Sequence, residues 1–329
     1  RLVELRLDAK AAARAAEPGS ADRYLNEGTS AAMKLVVNSA YGYLAAGGGL
    51  TRFADVDAAN EVTRRGRETL ALICRELAAR GVTLLEADTD GVYFAVPASW
   101  TEEDERRVVS EVAALLPPLV QLEFEGRYHA MLSHEPKNYA LLGYDGSLVL
   151  KGVAFRSSRA EPFGQAFLRR AINRLLTGDV GGVQEVYVET IDALRAREVT
   201  THDVSSRVRL TKGPERYSAL REHRRELMYE ALLARGVTTW RAGDKVRVYR
   251  TRSGWSHLLT DEDPRDYDDE HYVRALRANY ATRLARAFTA EDFTTLFADP
   301  SQPSLFAPDL SLIRPVLKSL PQDSLIANR

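Results

Sequence analysis

Cysteine occurs once in 329 residues, at Cys74. That rules out an internal disulfide framework and makes a reducing compartment the default. Long apolar runs are missing too. The longest stretch without a charged residue, Leu35 to Thr51, holds Asn38, Ser39 and four glycines. A bilayer helix needs about 20 mostly apolar residues, so no membrane association is expected. The chain opens at Arg1 on a charged, helical pattern with neither a methionine nor a signal peptide, and a fragment or a processed chain is expected. An excess of one charge sign is also missing. The 45 basic and 46 acidic side chains leave a net charge of −1, which argues against a uniformly basic nucleic-acid coat. At 45% hydrophobic and 28% charged, the composition is globular; disordered, collagenous and coiled-coil classes fall away. At roughly 100–200 residues per domain there is room for two or three units.

Charge is unevenly spread, however. Between Ser205 and His257 stand 13 Lys and Arg against five acids, about +8, while Asp261 to Glu270 holds seven acids against Arg265, about −6. A basic face that binds phosphate, next to an acidic one, would look like this. Two ordinary solvated faces would look the same.

Residues 2–16 have helical composition, Glu17-Pro18-Gly19-Ser20 reads as a turn, and a second helix from about 22 to 46 is stopped by Gly47-Gly48-Gly49. The two helices are expected to form a hairpin. An amphipathic helix is expected over 57–80, with Val62, Leu70, Ile73, Cys74 and Leu77 on its apolar stripe. Strands at 82–87 and 92–96 flank the acidic turn Asp88-Thr89-Asp90-Gly91, followed by a helix at 102–116. Further strand candidates lie at 120–125, 139–142 and 147–153. From Glu161 on, helices are expected at 161–176, 182–196, 215–235 and 268–288, interrupted by one strand at 245–250. The tail from Asp299 is rich in Pro and Ser and reads as extended. The fold class is α+β.

Two constellations carry chemistry. In Asp88-Thr89-Asp90 the carboxylates at i and i+2 project to one side of an extended backbone. Held so close, they call for a cation, and oxygen donors suit Mg²⁺ or Mn²⁺. An Asp-Gly hairpin turn alone would explain half of the pattern. An EF-hand starting at Glu86 fails, because its twelfth position is Pro97. A glycosyltransferase Asp-x-Asp site stays open at this point. On the second helix, Lys34, Asn38 and Tyr41 are spaced i, i+4, i+7, within a stripe about 60° wide. Arg6 and Lys10 are likewise i, i+4 on the first helix. A hairpin folded about Pro18-Gly19 lets three cations point at one anion, for which a triphosphate is the natural ligand.

Lys34-Leu35-Val36-Val37-Asn38-Ser39-Ala40-Tyr41-Gly42 resembles motif B of the family B DNA polymerases, and Glu86-Ala87-Asp88-Thr89-Asp90-Gly91 resembles their motif C. Leu122-Glu123-Phe124-Glu125-Gly126 and Pro136-Lys137-Asn138-Tyr139-Ala140 are similar to a palm strand and the Lys-Lys-x-Tyr region. Lys151-Gly152-Val153 resembles the start of the thumb. The resemblance implies a helical-hairpin fingers unit (1–46), the later part of an antiparallel β-sheet palm with helices (47–160), a mostly helical thumb (161–298) and an extended tail (299–329). It implies template-directed DNA synthesis in replication or repair, with dNTPs and primer–template DNA as substrates, at a cytoplasmic, nucleoid-associated location. Arg6, Lys10, Lys34 and Asn38 would grip the nucleotide phosphates, and Tyr41 would pack beneath the nascent pair. Asp88 and Asp90 would be the catalytic metal ligands of a two-Mg²⁺ site. Lys137, Tyr139 and Lys151 would contact DNA. Gln302-Pro303-Ser304-Leu305-Phe306 resembles a sliding-clamp docking peptide, with Gln302, Leu305 and Phe306 as its anchors.

Departures from the pattern carry expectations of their own. Glu86 stands where Tyr is usual; either it adds charge beside the metals, the preferred reading, or it faces solvent. Asn138 replaces an Arg, so minor-groove contact is expected to be weaker. Ser157-Ser158 replaces an Arg pair, and no role is assigned there. Glu123 and Glu125 lie near the metals or simply on a surface strand. Nothing matches motif A, an Asp ahead of a Ser-Leu-Tyr-Pro-like run. The chain is therefore expected to need an amino-terminal half as partner and to be inactive alone. The alternative is a scaffold that binds DNA and clamp without catalysis.

Overall fold

Pro18 has no amide hydrogen to continue a helix, and Gly19 takes φ +82°, a conformation that side chains resist. These residues end α1 (Leu2–Ala15), and Ser20 starts α2 (Ala21–Ala45) by accepting the Arg23 amide at 3.2 Å. The helices pack along one another as the expected hairpin. The computed structural model describes residues 1–46, 52–88, 91–118, 120–301 and 309–316. Asp90 and the anchors Gln302, Leu305 and Phe306 lie outside the described residues. Asp55 caps α3 (Val56–Ala79) through the Ala58 amide at 2.9 Å. The α3 stripe leads into β1 (Thr83–Asp88) and β2 (Gly91–Ala95), an antiparallel pair, and then α4 (Glu102–Ala113), opened by a Thr101–Asp104 capping box. Ile73, Cys74 and Leu77 pack with Val82, Leu84, Val108 and Val112 as one core.

A second sheet, β3 (Ala130–Glu135), β4 (Asn138–Leu142) and β5 (Leu148–Lys151), is antiparallel in that order. Its apolar side, Leu132, Ala140, Leu142 and Leu150, joins a much larger core with α5 (Pro162–Leu176) and α6 (Val180–Arg195). After a short α7 (Thr201–Val204) comes a third sheet. Here β6 (Ser206–Arg209) pairs with β7 (Lys245–Thr251), which pairs with β8 (Gly254–Leu258). The intervening α8 (Pro214–Arg221) and α9 (Leu227–Ala234) carry a small core of Leu210, Tyr217, Tyr229 and Leu232. The chain then runs through α10 (Asp269–Ala275) and α11 (Ala290–Leu296).

Three expectations change here. The helix expected over 215–235 is broken, because Tyr217 and Tyr229 stack at 4.3 Å, whereas an unbroken helix would set residues twelve apart about 120° from each other. The helix expected over 268–288 widens into a π turn at Leu276–Tyr280 and tightens into a 3₁₀ segment at Ala281–Ala287. That widening lays the Tyr280 ring over Gly164 and its hydroxyl on the Glu161 carboxylate. The strand expected at 120–125 is irregular chain with no partner strand among the described residues. The α+β class stands, with two strands, β6 and β8, beside the one expected in the helical part.

A Cβ at Gly164 would lie 2.1 Å from the Tyr280 ring. Gly164→Ala is expected to destabilise the large core by about 1–3 kcal/mol, the usual range for overpacking. Chemical denaturation measures this, and an unchanged midpoint contradicts it.

Candidate active site

Register in β1 shifts between Leu84 and Glu86, and both side chains are buried. Glu86 is only 4% exposed. A carboxylate removed from water must find donors. Glu86 accepts the Ser133 hydroxyl at 2.6 Å and the Lys137 amide at 2.8 Å. It therefore does not face solvent, contrary to that expectation, and its two oxygens are taken up by Ser133 and Lys137. Its length and its place beside Tyr93 carry it across to β3 and the turn that follows.

Lys137 sits in the turn between β3 and β4 at φ 66°, in the left-handed region that residues with side chains rarely adopt. Its ammonium lies 3.4 Å from Oδ1 of Asp88. With exposures of 67% for Lys137 and 35% for Asp88, the pair is of the weak, exchangeable kind. Two cross-strand pairs meet at this join. Glu86 is opposite Tyr93, and Ser133 is opposite Tyr139; the two tyrosine hydroxyls are 3.1 Å apart. Burial, followed by the Tyr139 hydrogen bond, pushes the Tyr93 phenol well above its ordinary range.

Lys151 is the β5 register partner of Tyr139 and is exposed. Next to it, Gly152 takes φ +84°, and a Cβ there would come within 2.3 Å of the Lys137 carbonyl and Asn138 Oδ1. Asn138 bonds inward, its amide donating to the Pro136 carbonyl at 3.0 Å while Oδ1 accepts the Ala154 amide at 2.9 Å. It works as a turn brace. Asp88, Lys137, Tyr139 and Lys151 are thus gathered on one rim.

The helical hairpin is arranged differently from the expected convergence of three cations. Lys10 donates to Glu123 at 2.6 Å and Arg14 to the same carboxylate at 3.2 Å, holding the Glu123 carboxyl below its ordinary value. Glu123 therefore neutralises Lys10 and lies against the hairpin. Arg6 Nε is buried without a partner among the described residues. Lys34, Asn38 and Tyr41 are exposed, and no hydrogen bond or ion pair among the described residues joins them to Asp88 or Lys137. None of the 25 residues of α2 is buried; Tyr24 and Leu35 are 83% and 69% exposed.

Among the described residues there is no cluster of three or more His, Cys, Asp or Glu able to hold a metal. The half-exposed oxygens of Asp88, already drawing an ammonium, are chemically suited to a hard divalent cation.

A second cationic feature was missed as geometry and counted only as charge. Between β6 and β7, Arg207 stands opposite Arg247 and Arg209 opposite Lys245. Like charges directly opposite destabilise a ladder unless an anion lies across them. Arg247 is braced on the Ser205 carbonyl at 3.3 Å; burial first and Arg207 next hold its guanidinium below its ordinary value. The alternation Arg-Val-Arg and Lys-Val-Arg was the available signal. Much of the acidic run is paired elsewhere, Glu262 with Arg235, Asp269 with Arg197 and Arg252, and Glu270 with Arg195.

A family model described as DNA polymerase family B matches residues 1–283. The chain belongs to that family. The DNA polymerase of Pyrococcus glycovorans is 28% identical over 269 residues, covering 78% of this chain and 34% of that protein. The DNA polymerase of Methanocaldococcus jannaschii is 29% identical over 195 residues, 56% of this chain and 12% of that protein. This family B chain thus spans about a third or less of the length of these relatives. The family B DNA polymerase structure from Pyrobaculum calidifontis shares its fold at a TM-score of 0.57 and 20% identity, over 86% of this chain and 36% of that one.

Gly152→Ala forces a Cβ onto the Lys137 turn in a left-handed conformation. A loss of about 1–3 kcal/mol is expected on denaturation; a gain in stability contradicts it.

Proposed function

We propose that this chain is the fingers, later palm and thumb portion of a DNA-directed DNA polymerase, divided as 1–46, 47–160 and 161–298. It extends a primer 3′-hydroxyl on a template and works with an amino-terminal half that supplies motif A. The observation that carries this reading is the meeting of Asp88 with Lys137 on a rim shared with Tyr139 and Lys151, in a chain of family B. The exposed apolar residues of α2 support a further segment closing on the hairpin.

Asp88 and Asp90 would hold the metal pair, which when bound makes the 3′-hydroxyl a better nucleophile and neutralises the leaving pyrophosphate. The chain's own residues do the rest. Lys137, Tyr139 and Lys151 hold the primer end so that its hydroxyl lies in line with the α-phosphate. Arg6, Lys10, Lys34 and Asn38 hold the triphosphate, and Tyr41 tests the shape of the new pair as the hairpin closes. The cation ladder of β6 and β7 tracks duplex phosphates. The tail anchors Gln302, Leu305 and Phe306 dock on a clamp, which retention of wild type but not Leu305→Ala/Phe306→Ala on immobilised clamp would support.

Supplying the motif A half and comparing wild type with Asp88→Ala and Asp90→Ala tests the reading. Extension is expected to fall by about 100-fold or more for Asp90→Ala with DNA affinity kept. Undiminished extension overturns it, and absent extension in every form with DNA binding kept favours the non-catalytic scaffold. Glu123→Gln frees Lys10, and the KM for dNTP is expected to fall about threefold, the scale of one exposed ion pair. An unchanged KM removes Lys10 from the nucleotide site. Arg207→Gln, Arg209→Gln and Lys245→Gln together are expected to flatten the salt dependence of duplex binding by about three counterions. An unchanged slope places the duplex elsewhere.

A further inference from the structure

The strands of the rim belong to two separate hydrophobic cores, one built from α3, β1, β2 and α4, the other from β3 to β5 with the later helices. Their join here is polar. The Glu86 and Tyr93 pair bonds across to the Ser133 and Tyr139 pair, hydroxyl to hydroxyl and hydroxyl to carboxylate. One oxygen of Glu86 remains for the Lys137 amide. That bond engages the residue held in the left-handed conformation. Two residues along β1, Asp88 meets the ammonium of the same lysine. The two carboxylates of one strand therefore grip Lys137 at its backbone and at its side-chain tip. The carboxylate gives each donor its own oxygen, one to the Ser133 hydroxyl and one to the Lys137 amide.

We propose that Glu86 is a positioning residue: its buried carboxylate sets the Lys137 turn, and with it the primer end, in register with Asp88. This rests on the polymerase reading above and names the residue that aligns its DNA contact. Glu86 touches neither substrate nor reacting atoms. It acts through Lys137.

The test is a double-mutant cycle on the intact 329-residue chain. Fluorescence anisotropy gives its affinity for a recessed primer–template and for the same duplex with blunt ends. The ratio of the two reads contact at the primer end, which general loosening of the chain would not move selectively. Lys137→Gln is expected to lower that ratio by about three- to tenfold, the scale of one charged contact. Glu86→Ala is expected to lower it by the same factor, and the double variant no further, since both remove one linked interaction. Glu86→Gln, which keeps an acceptor for the Lys137 amide, is expected to recover the ratio. Multiplicative losses in the double variant overturn the proposal, as does a Glu86→Gln loss equal to that of Lys137→Gln. If Glu86→Ala fails to fold, Ser133→Ala removes one bond of the clasp and must still lower the ratio; an unchanged ratio overturns the proposal. A wild-type ratio of one, with no preference for the primer end, sinks the polymerase reading itself and this inference with it.

Discussion

One buried carboxylate, satisfied from two sides, ties β1 to the β3–β4 turn. Glu86 is buried, and its two hydrogen bonds fix how the β1–β2 hairpin meets β3 and the β3–β4 turn. Leaving either partner unmet in a dry environment would cost about 1–3 kcal/mol, so the join has little freedom to slide. Asp88, Lys137, Tyr139 and Lys151 inherit their arrangement from it. The strand order β3-β4-β5 then carries that arrangement into the largest core, through Ala140, Leu142 and Leu150.

Around this rigid joint the working groups are loosely held. The Asp88–Lys137 pair is exposed enough to exchange for other ions. Glu123 occupies Lys10 and Arg14 on α1, while α2 exposes its polar and apolar groups alike. The hairpin has few side chains anchored in either core; only Ala9 and Ala13 of α1 are buried. A unit with so little buried surface can change position at small energetic cost, as the proposed closure over a nucleotide requires.

Helices and hairpins were legible because their signals are local. Pro18-Gly19, the α3 stripe and the acidic turn between two apolar runs each specify their element within a few residues. The α5 and α6 boundaries follow from the same periodicity. What sequence reading missed depends on distant partners. The break between α8 and α9 exists because two tyrosines stack, and the π turn exists because Gly164 leaves space for Tyr280. In the site, Asp88, Lys137, Tyr139 and Lys151 were identified by motif resemblance, and the structure gathers them. The burial of Glu86 was not legible, since nothing local announces that Ser133 and Lys137 will come to meet it. Asn138 was read only as the loss of an Arg, and its bracing of a turn depends on Pro136 and on Ala154, sixteen residues away. The facing cations of β6 and β7 became visible only once the register was known.

In the proposed function the primer terminus sits on the rim where Asp88 and Lys137 meet. Photocrosslinking from a 4-thiothymidine at the primer 3′ end, followed by peptide mapping, tests it most directly. Adducts concentrated between Pro136 and Lys151 are the predicted result. Adducts confined to α5 and α6, or spread evenly over the basic surface, would contradict it.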